Sequence, residues 1–330
     1  MILQHRDTPD VEACFPRLLA GRRSDGGTIV GRTFLSGSNR KEPRCYNPCE
    51  HKLGAHGWNY LALLSSVFLS LCVWAESPAQ EPKTEESGRR MEFMKESATV
   101  YEIDLVEQRE RLKLHPEPLL RWDNPVSGVK DGIIAMWTSS DGRPQVLAQV
   151  FQSKDKYWLH EFQSMASVPL VASLDRRPIW KPNRTIVQMK PVPDAPEPAK
   201  NQNGRLTQMR TLARRFSANV DFKVNYLDTK TSRYELRLLP QPVHRYGKED
   251  TDLTDGALFA FVQGTNPELW LLVEVRRGDA GIVWQYGLAP MTGYAVRASH
   301  PSGLAWECAY TDEDKRGSVS PYFIRTFARE

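Results

Sequence analysis

The chain carries the same short motif twice, and the two copies lie 124 residues apart. "LKLHPEPLLRW" covers residues 112–122, and "LRLLPQPVHRY" covers residues 236–246. Further matches continue in order at shifts of 124 to 126 residues: Asp131-Gly132 with Asp255-Gly256, Trp158 with Trp284, Ala172-Ser173 with Ala298-Ser299, and Trp180 with Trp306. A repeat of this kind indicates an internal duplication, so we expect two lobes of the same fold. The alternative is two β meanders that share strand composition by chance.

Each copy of the repeat predicts an antiparallel β meander. Runs such as "GALFAFVQ" (256–263) and "LWLLVEVRR" (269–277) are apolar, rich in aromatic and branched side chains, and bounded by turn residues. The segments "YEIDL" (101–105) and "DFKVNYL" (221–227) alternate apolar and polar residues and precede the motif copies. Each lobe is therefore expected to open with a β-hairpin.

A helix is expected before each hairpin. Within residues 204–220, apolar side chains recur three and four positions apart and define one face: Leu206, Met209, Leu212, Ala213 and Phe216. Arg205, Arg210, Arg214 and Arg215 are predicted to form its solvated face. The weaker counterpart near residues 89–98 has Met91, Met94 and Ala98 on its apolar side. The predicted fold class is therefore α+β and β-rich, with two duplicated lobes, each a helix followed by an antiparallel meander.

Four prolines between residues 191 and 198 mark the best domain boundary, because such a segment is extended and semi-rigid. The predicted organisation runs through six segments: a disordered or over-extended start (1–55), a signal peptide (56–75), a polar linker (76–88), a first β-rich lobe (89–182), a Pro-rich linker (183–203) and a second β-rich lobe (204–330).

The signal peptide is predicted from an uncharged stretch, "LALLSSVFLSLCVW", at residues 61–74. Its length is short for a membrane span of about 20 residues and suits a signal-peptide core. We therefore expect a secreted or periplasmic protein that meets the membrane only through this segment. A buried core helix and an uncleaved anchor are the alternatives.

Charge and cysteine content exclude several functional classes. Residues 1–75 hold nine Lys/Arg and six Asp/Glu, which leaves 35 and 34 for residues 76–330. A nucleic-acid partner is not expected, because binding requires a concentrated basic face. Only Cys308 follows the predicted cleavage site, so no internal disulfide is expected, and its alternation with Trp306 and Tyr310 predicts a buried strand residue. No metal or cofactor is expected, since Cys45, Cys49 and His51 lack a second ligand pair at zinc spacing.

Four motifs resemble a family of predicted secreted proteins common in planctomycete bacteria. These are "LLRWDNP" (119–125), "DGRP" (141–144), "HEFQS" (160–164), and "YELRLLPQPVHRY" with the following "DGALFAFVQGTNPE" (within 234–268). The resemblance covers most of residues 90–310. It implies export and a two-part layout, and it implies no catalytic residue.

The repeated Arg-aromatic pairs are the first candidate binding residues. Arg121-Trp122 and Arg245-Tyr246 can bind a carboxylate, a sulfate or a sugar face. In the structural alternative, which a repeated feature favours, the aromatic side chain caps the core. The arginine of each lobe then pairs with its own aspartate (Asp131 or Asp255).

The weak catalytic candidates are His160 and Glu161. On a strand, His160, Phe162 and Ser164 share one face, and Glu161 lies on the other. An ordinary polar edge strand is the favoured interpretation. His115, His244 and His300 lack partners at useful spacing and are expected at the surface or in turns.

Three functions remain from the sequence, and one of them, a transcriptional or signalling partner, requires that the apolar segment at residues 61–74 is not a signal peptide. The favoured one is an exported, non-catalytic binding or structural protein of the envelope, whose cleft between lobes takes a ligand or whose lobe face takes a protein. An envelope protein or a glycan is the expected partner class. The alternative is an envelope or extracellular hydrolase acting on polysaccharide, with Glu161 or Glu274 as acid or base.

Overall fold

In the computed structural model, the chain is described over residues 81–125, 127–153, 157–223, 231–278, 281–310 and 317–327. These residues belong to one compact unit. The predicted start, the signal peptide and four of the five cysteines lie outside the described residues. Among the described residues, no helix is both long enough and apolar enough to cross a membrane.

The predicted α+β, β-rich class is confirmed, because two helices and antiparallel strands make up the described structure. The first half, residues 81–180, contains α1 (Glu81–Thr99), β1 (Tyr101–Leu105), β2 (Glu110–Arg111), β3 (Lys113–Leu114), β4 (Leu120–Asn124), β5 (Val129–Thr138), β6 (Pro144–Gln152), β7 (Trp158–Ser164), β8 (Leu170–Leu174) and β9 (Arg177–Trp180). A connecting strand follows, β10 (Lys190–Pro191). The second half, residues 202–308, contains α2 (Gln202–Ala213), β11 (Ser217–Lys223), β12 (Thr231–Leu238), β13 (His244–Tyr246), β14 (Leu253–Gln263), β15 (Asn266–Gly278), β16 (Gly281–Pro290), β17 (Ala295–His300) and β18 (Gly303–Cys308). The last described strand is β19 (Tyr322–Phe327).

The strand order is the same in the two halves. The second half forms one sheet in the order β10-β16-β15-β14-β12-β11-β17-β18, with β13 paired to β14. The first half forms two sheets, β19-β7-β6-β5-β3 with β4 on β5, and β2-β1-β8-β9. Only Leu112 separates β2 from β3, and its amide donates to the carbonyl of Ile103 on β1. The two short strands together thus occupy the place of β12.

Strand register also matches between the halves. Trp122 faces Gly132 across β4 and β5, and Tyr246 faces Gly256 across β13 and β14. A register shift after Ala172 on the β8–β9 pair recurs at the equivalent step of the β17–β18 pair. The sequence offset of 124 to 126 residues therefore identifies structurally equivalent positions.

Two short strands cross between the halves, which corrects the predicted boundaries. β19, placed in the second lobe by the sequence, pairs with β7 of the first half, and Arg325 lies opposite His160. β10, inside the predicted 183–203 linker, pairs with β16 of the second half, and Lys190 lies opposite Tyr286. Because β7 and β16 are equivalent strands, each half receives an edge strand from the segment that follows the other half.

Both helices differ in length from the prediction: α1 begins earlier than predicted, and α2 ends earlier. α1 begins at Glu81 and includes the last part of the predicted 76–88 linker, where Glu85 and Glu86 each pair with an arginine four residues later. α2 is capped by Asn201, whose side chain accepts from the Gly204 amide at 2.7 Å. It ends at Ala213, so Phe216, predicted on the helix, lies just before β11.

Three large apolar clusters organise the halves. One lies within each half, and the third lies between the sheets of the two halves. Along β5, Ile134 and Met136 face the shared cluster, whereas Ala135 and Trp137 face the first half's own cluster. The boundary where the sequence suggested a ligand cleft between lobes is thus occupied by packed apolar side chains.

Candidate functional site

The predicted pairing of each arginine with its own aspartate is confirmed in both halves. Arg121 donates from Nε and Nη2 to the two carboxylate oxygens of Asp131, at 2.7 and 2.6 Å. Arg245 donates in the same way to Asp255, at 2.9 and 2.7 Å. Both aspartates are buried. These bidentate pairs hold β4 onto β5 and β13 onto β14.

Each aspartate also binds an arginine from the helix of its half. Arg90 on α1 donates to Asp131 at 3.1 Å, and Arg205 on α2 donates to Asp255 at 2.8 Å. Arg205 also pairs with Glu249. The prediction that Arg205 lies on a solvated helix face is wrong, because it is buried with these partners. Two arginines on one buried carboxylate thus fix each helix to its sheet.

The aromatic residues of the repeated pairs are buried. The rings of Trp122 and Tyr246 lie on Gly132 and Gly256, where an added Cβ would approach ring carbons at 2.5 and 2.6 Å. Only glycine allows this contact. Because both rings are covered, neither presents a face to a sugar.

A buried ion cluster joins the two halves at Glu274. Arg143 of the first half donates from Nε to Glu274 Oε1 at 2.8 Å, and Tyr246 donates to the same oxygen at 2.9 Å. Arg276 donates to Oε2 at 2.6 Å. Burial acts to raise the pKa of Glu274, but the charges of Arg143 and Arg276 outweigh it and hold the pKa below its usual range. Glu274 is therefore an ionised carboxylate with both oxygens engaged.

The two weak catalytic candidates lie on opposite faces of β7. His160 is fully buried, and its Nδ1 lies 2.8 Å from the hydroxyl of Tyr101. The interpretation as an ordinary polar edge is wrong, because β7 lies between β6 and β19. Burial, with the charge of Arg325, lowers the pKa of His160 to about 3, so the ring is neutral at pH 7. Glu161 is partly buried and accepts from the Tyr322 hydroxyl at 2.7 Å.

A second buried carboxyl lies near Glu161. Glu268 accepts from Asn266 Nδ2 at 2.8 Å, and Gln149 of the first half donates to Asn266 Oδ1 at 3.1 Å. Burial raises the pKa of Glu268 to about 8, and the negative charge of Glu161 adds to the rise. A hydrogen bond with Thr292 acts in the opposite direction and lowers the pKa. No sequence pattern singles out this carboxyl, because Glu268 follows a proline in an ordinary turn motif.

The remaining histidines and the cysteine match the expectation only in part. His115 and His244 come from different halves and lie with ring centroids 5.7 Å apart. His300 is buried against Phe216 rather than exposed. Cys308 is a strand residue as predicted but only partly buried, and burial raises its thiol pKa.

A cavity of about 240 Å³ lies between α1 and the sheet of the first half. Its buried side is apolar and is formed by Ala98, Ile133 and Ala135. Its open side carries charged and polar residues: Glu92, Lys95, Glu96, Thr99 and His115. This combination of apolar interior and polar mouth is typical of small-molecule sites.

The mouth of the cavity has an excess of negative charge. Lys95 is paired with Glu117 at 3.1 Å, whereas Glu92 and Glu96 are exposed and make no ion pair with another described side chain. The last turn of α1 also lines this mouth and contains no basic residue, so the partial negative charge of the helix C-terminus adds to that of the carboxylates.

The second half is packed differently at the equivalent place. Ala135 of β5 corresponds to Phe259 of β14, which is fully buried. At the position two residues earlier on the same strand the size difference is reversed, because the larger residue, Ile133, belongs to the first half and corresponds to Ala257 in the second. The cavity therefore arises where a phenyl ring of the second half is replaced by a methyl group.

Comparisons of this chain with protein-family models, curated proteins and solved structures gave no match. Among the described residues, no group of three or more His, Cys, Asp or Glu is placed to hold a metal ion.

Proposed function

We propose that this chain is an exported, non-catalytic binding protein of the bacterial envelope or its surroundings. The uncharged stretch at residues 61–74 and the resemblance to predicted secreted proteins support export. We further propose that its two halves arose by duplication. Their common strand order, common register and paired Arg–Asp contacts support this proposal.

The cavity under α1 is the observation that carries the binding function. An apolar cavity of about 150 Å³ is large enough for benzene. The 240 Å³ between α1 and β5 therefore suits a short aliphatic chain or one substituted ring. Most drug-sized ligands occupy larger pockets, so the proposed ligand is small.

The charge of the mouth specifies the other end of that ligand. Glu92 and Glu96 lie one helical turn apart on α1, beside the helix C-terminus. A cationic group placed there is stabilised by both carboxylates and by the helix carbonyls. The proposed ligand is thus a small amphiphile with an apolar body and an amine or other cationic head.

Calorimetric titration with octylamine, octanol and octanoate tests this function. We expect octylamine to bind best and octanoate worst. Replacing both Glu92 and Glu96 by glutamine is expected to reduce the preference for the amine about three- to fivefold, as for exposed charges. Glu85→Gln, on the same helix but outside the cavity lining, serves as the matched control.

Filling the cavity distinguishes true occupancy from surface adsorption. Ala135→Phe is expected to abolish binding of all three probes, because it introduces the ring that Phe259 supplies in the second half. The double variant Ile133→Ala/Ala135→Phe reproduces the packing of the second half and keeps the side-chain volume closer to the original. Unchanged binding in both folded variants would refute the cavity as the ligand site.

Export is tested separately by fractionating cells that express the chain with its own N-terminus. We expect an exported product that starts near Glu76, after removal of the apolar segment. An intact chain that begins at Met1 in the cytoplasm would contradict this part of the proposal.

A further inference from the structure

Two histidines, one from each half, meet where the two motif copies lie side by side. The ring centroids of His115 and His244 are 5.7 Å apart, and the ring planes cross at 78°. Both side chains are partly exposed, so a solute can reach them from water. Spacing in the sequence did not reveal this pair, because its members belong to different halves.

The pair is a departure from the repeat. Leu239 of the second copy matches His115, and Leu120 of the first copy matches His244. Both leucines pack against the apolar cluster that the halves share. Leucine at these two motif positions is therefore compatible with the fold, and the histidines are not needed for it. A chemical role explains them better than a structural one.

One nitrogen of each ring is held by a backbone carbonyl. Nδ1 of His115 lies 2.7 Å from the carbonyl oxygen of Glu117, and Nε2 of His244 lies 2.9 Å from that of Gly142. A carbonyl oxygen only accepts hydrogen bonds, so these two nitrogens carry protons. The other nitrogen of each neutral ring then has a lone pair. Metal-binding histidines are typically held in this way, because the second N–H fixes the tautomer and the orientation of the ring.

The ring of His244 is further fixed by its neighbour on β13. It stacks on Tyr246, with ring centroids 5.6 Å apart and ring planes inclined by 17°. Tyr246 is buried, and its hydroxyl donates to Glu274. The His244 ring therefore rests on a rigid support, which lowers the cost of ordering it when a ligand binds.

The distance between the rings fits a single metal ion between them. Zinc–nitrogen bonds of about 2.0–2.1 Å and tetrahedral bond angles place the centroids of two ligating imidazole rings about 5–6 Å apart. Imidazole ligands suit zinc, copper and nickel, whereas magnesium and calcium require oxygen ligands. The carboxylate of Glu117, close to His115 in sequence, is paired with Lys95.

We propose that His115 and His244 together bind one divalent transition-metal ion, Zn²⁺ or Cu²⁺, at the boundary between the halves. Structural zinc sites use four protein ligands, and the described residues offer no third His, Cys, Asp or Glu at this pair. Water fills the other positions, so the ion is exchangeable. This site goes beyond the proposed amphiphile binding and does not require it, although His115 also lines the mouth of the cavity under α1.

Calorimetric titration of the full chain with ZnCl₂, CuCl₂ and MgCl₂ tests the proposal. Every protein carries Cys45→Ser and Cys49→Ser, so that this thiol pair does not bind the metal. His115→Leu and His244→Leu are the matched variants, because each introduces the residue that the other motif copy has at the same position. His51→Leu is the control for loss of a histidine elsewhere.

We expect the parent chain to bind Cu²⁺ more tightly than Zn²⁺ and to bind no Mg²⁺. Loss of a hydrogen-bond partner of a metal ligand already costs about 10- to 100-fold in affinity. Loss of either histidine of the pair is therefore expected to weaken binding at this site by at least about tenfold, and His51→Leu is expected to leave it unchanged.

Nuclear magnetic resonance of the histidine rings locates the ion. Added Zn²⁺ is expected to shift the ring signals of His115 and His244 together and to leave that of the buried His160 in place. Ala135→Phe, which should abolish amphiphile binding, is expected to bind Zn²⁺ like the parent chain. The metal site and the cavity can therefore fail independently of each other.

Three results would overturn the proposal. The first is a double variant, His115→Leu/His244→Leu, that binds as much metal as the parent chain. The second is full affinity in either single variant, because one ring alone would then hold the ion. The third is a set of shifted ring signals that excludes one member of the pair. Urea unfolding checks that the leucine variants are folded, and His115→Gln and His244→Gln repeat the comparison with polar side chains.

Discussion

Replacing Glu274 by leucine is expected to lower the free energy of unfolding by about 3–5 kcal/mol, the usual cost of removing one partner from a buried ion pair. The substitution leaves the guanidinium of Arg143 buried, with no anionic partner at this position and with the carbonyls of Pro144 and Met165 and the sulfur of Met189 as its remaining hydrogen-bond acceptors. It also removes the acceptor of the Tyr246 hydroxyl. Urea unfolding at pH 7, followed by circular dichroism, measures the loss.

Two further variants show whether the effect comes from an unpaired charge. Arg143→Met is expected to cost less than Glu274→Leu, because Arg276 and Tyr246 still bind the carboxylate. The double variant is expected to recover most of the loss, since an apolar pair of similar volume can replace a buried ion pair. Glu85→Leu, in an exposed pair on α1, is the control and is expected to change stability by about 0.5 kcal/mol or less. If the double variant is less stable than Glu274→Leu, lost packing rather than an unpaired charge is the cause.

The position of Glu274 shows how the two halves differ. Phe151 lies opposite Gly132 on β6, and Glu274 lies opposite the equivalent Gly256 on β15. The first half thus packs Phe151 on Trp122, with ring centroids 5.2 Å apart, where the second half places a carboxylate beside a tyrosine hydroxyl. Arg143, a residue of the first half, binds this carboxylate of the second half. The ion cluster therefore makes the contact between the halves asymmetric.

Sequence reasoning reached the features that depend on local spacing. The repeat gave equivalent strand registers, and the Asp-Gly pairs gave the partners of Arg121 and Arg245. Both follow from neighbouring strands in a meander, where the partner is close in sequence. The apolar face of α1, with Met94 and Ala98 buried, followed from helical periodicity for the same reason.

Features that depend on distant or unequal packing were missed. The crossing of β10 and β19 to the opposite half leaves no local pattern, because the pairing partners lie 94 or more residues away. Arg205 was placed in solvent because periodicity counts every arginine as polar, although a buried aspartate and a glutamate neutralise it. The cavity under α1 depends on the size of one side chain, which is alanine at position 135 and phenylalanine at the equivalent position 259. Both residues are apolar, so the hydrophobic pattern of the strand is the same in the two halves and does not reveal the cavity.

Glu268→Gln is expected to remove a pH dependence of stability between about pH 4.5 and pH 8. The pKa of this carboxyl is about 8 in the folded protein and near 4.5 in an unfolded chain. As the pH rises through this window, the unfolded chain loses a proton that the folded protein keeps, so the contribution of Glu268 to stability falls. The difference between the pKa values in the folded and unfolded states corresponds to a change of at most about 5 kcal/mol in the free energy of unfolding. The glutamine side chain has nearly the same shape and never ionises.

The expected difference between the two proteins therefore depends on pH. At pH 5 the variant and the parent chain should unfold at similar urea concentrations, whereas at pH 8.5 the variant should be more stable. Glu235→Gln, at an exposed strand position, should leave the slope of stability against pH unchanged. Parallel slopes for the parent and Glu268→Gln would mean that Glu268 ionises normally in the folded protein. Because Glu161 contributes to the raised pKa, Glu161→Gln should reduce the slope without removing it, and that intermediate result would identify the two carboxyls as a coupled pair.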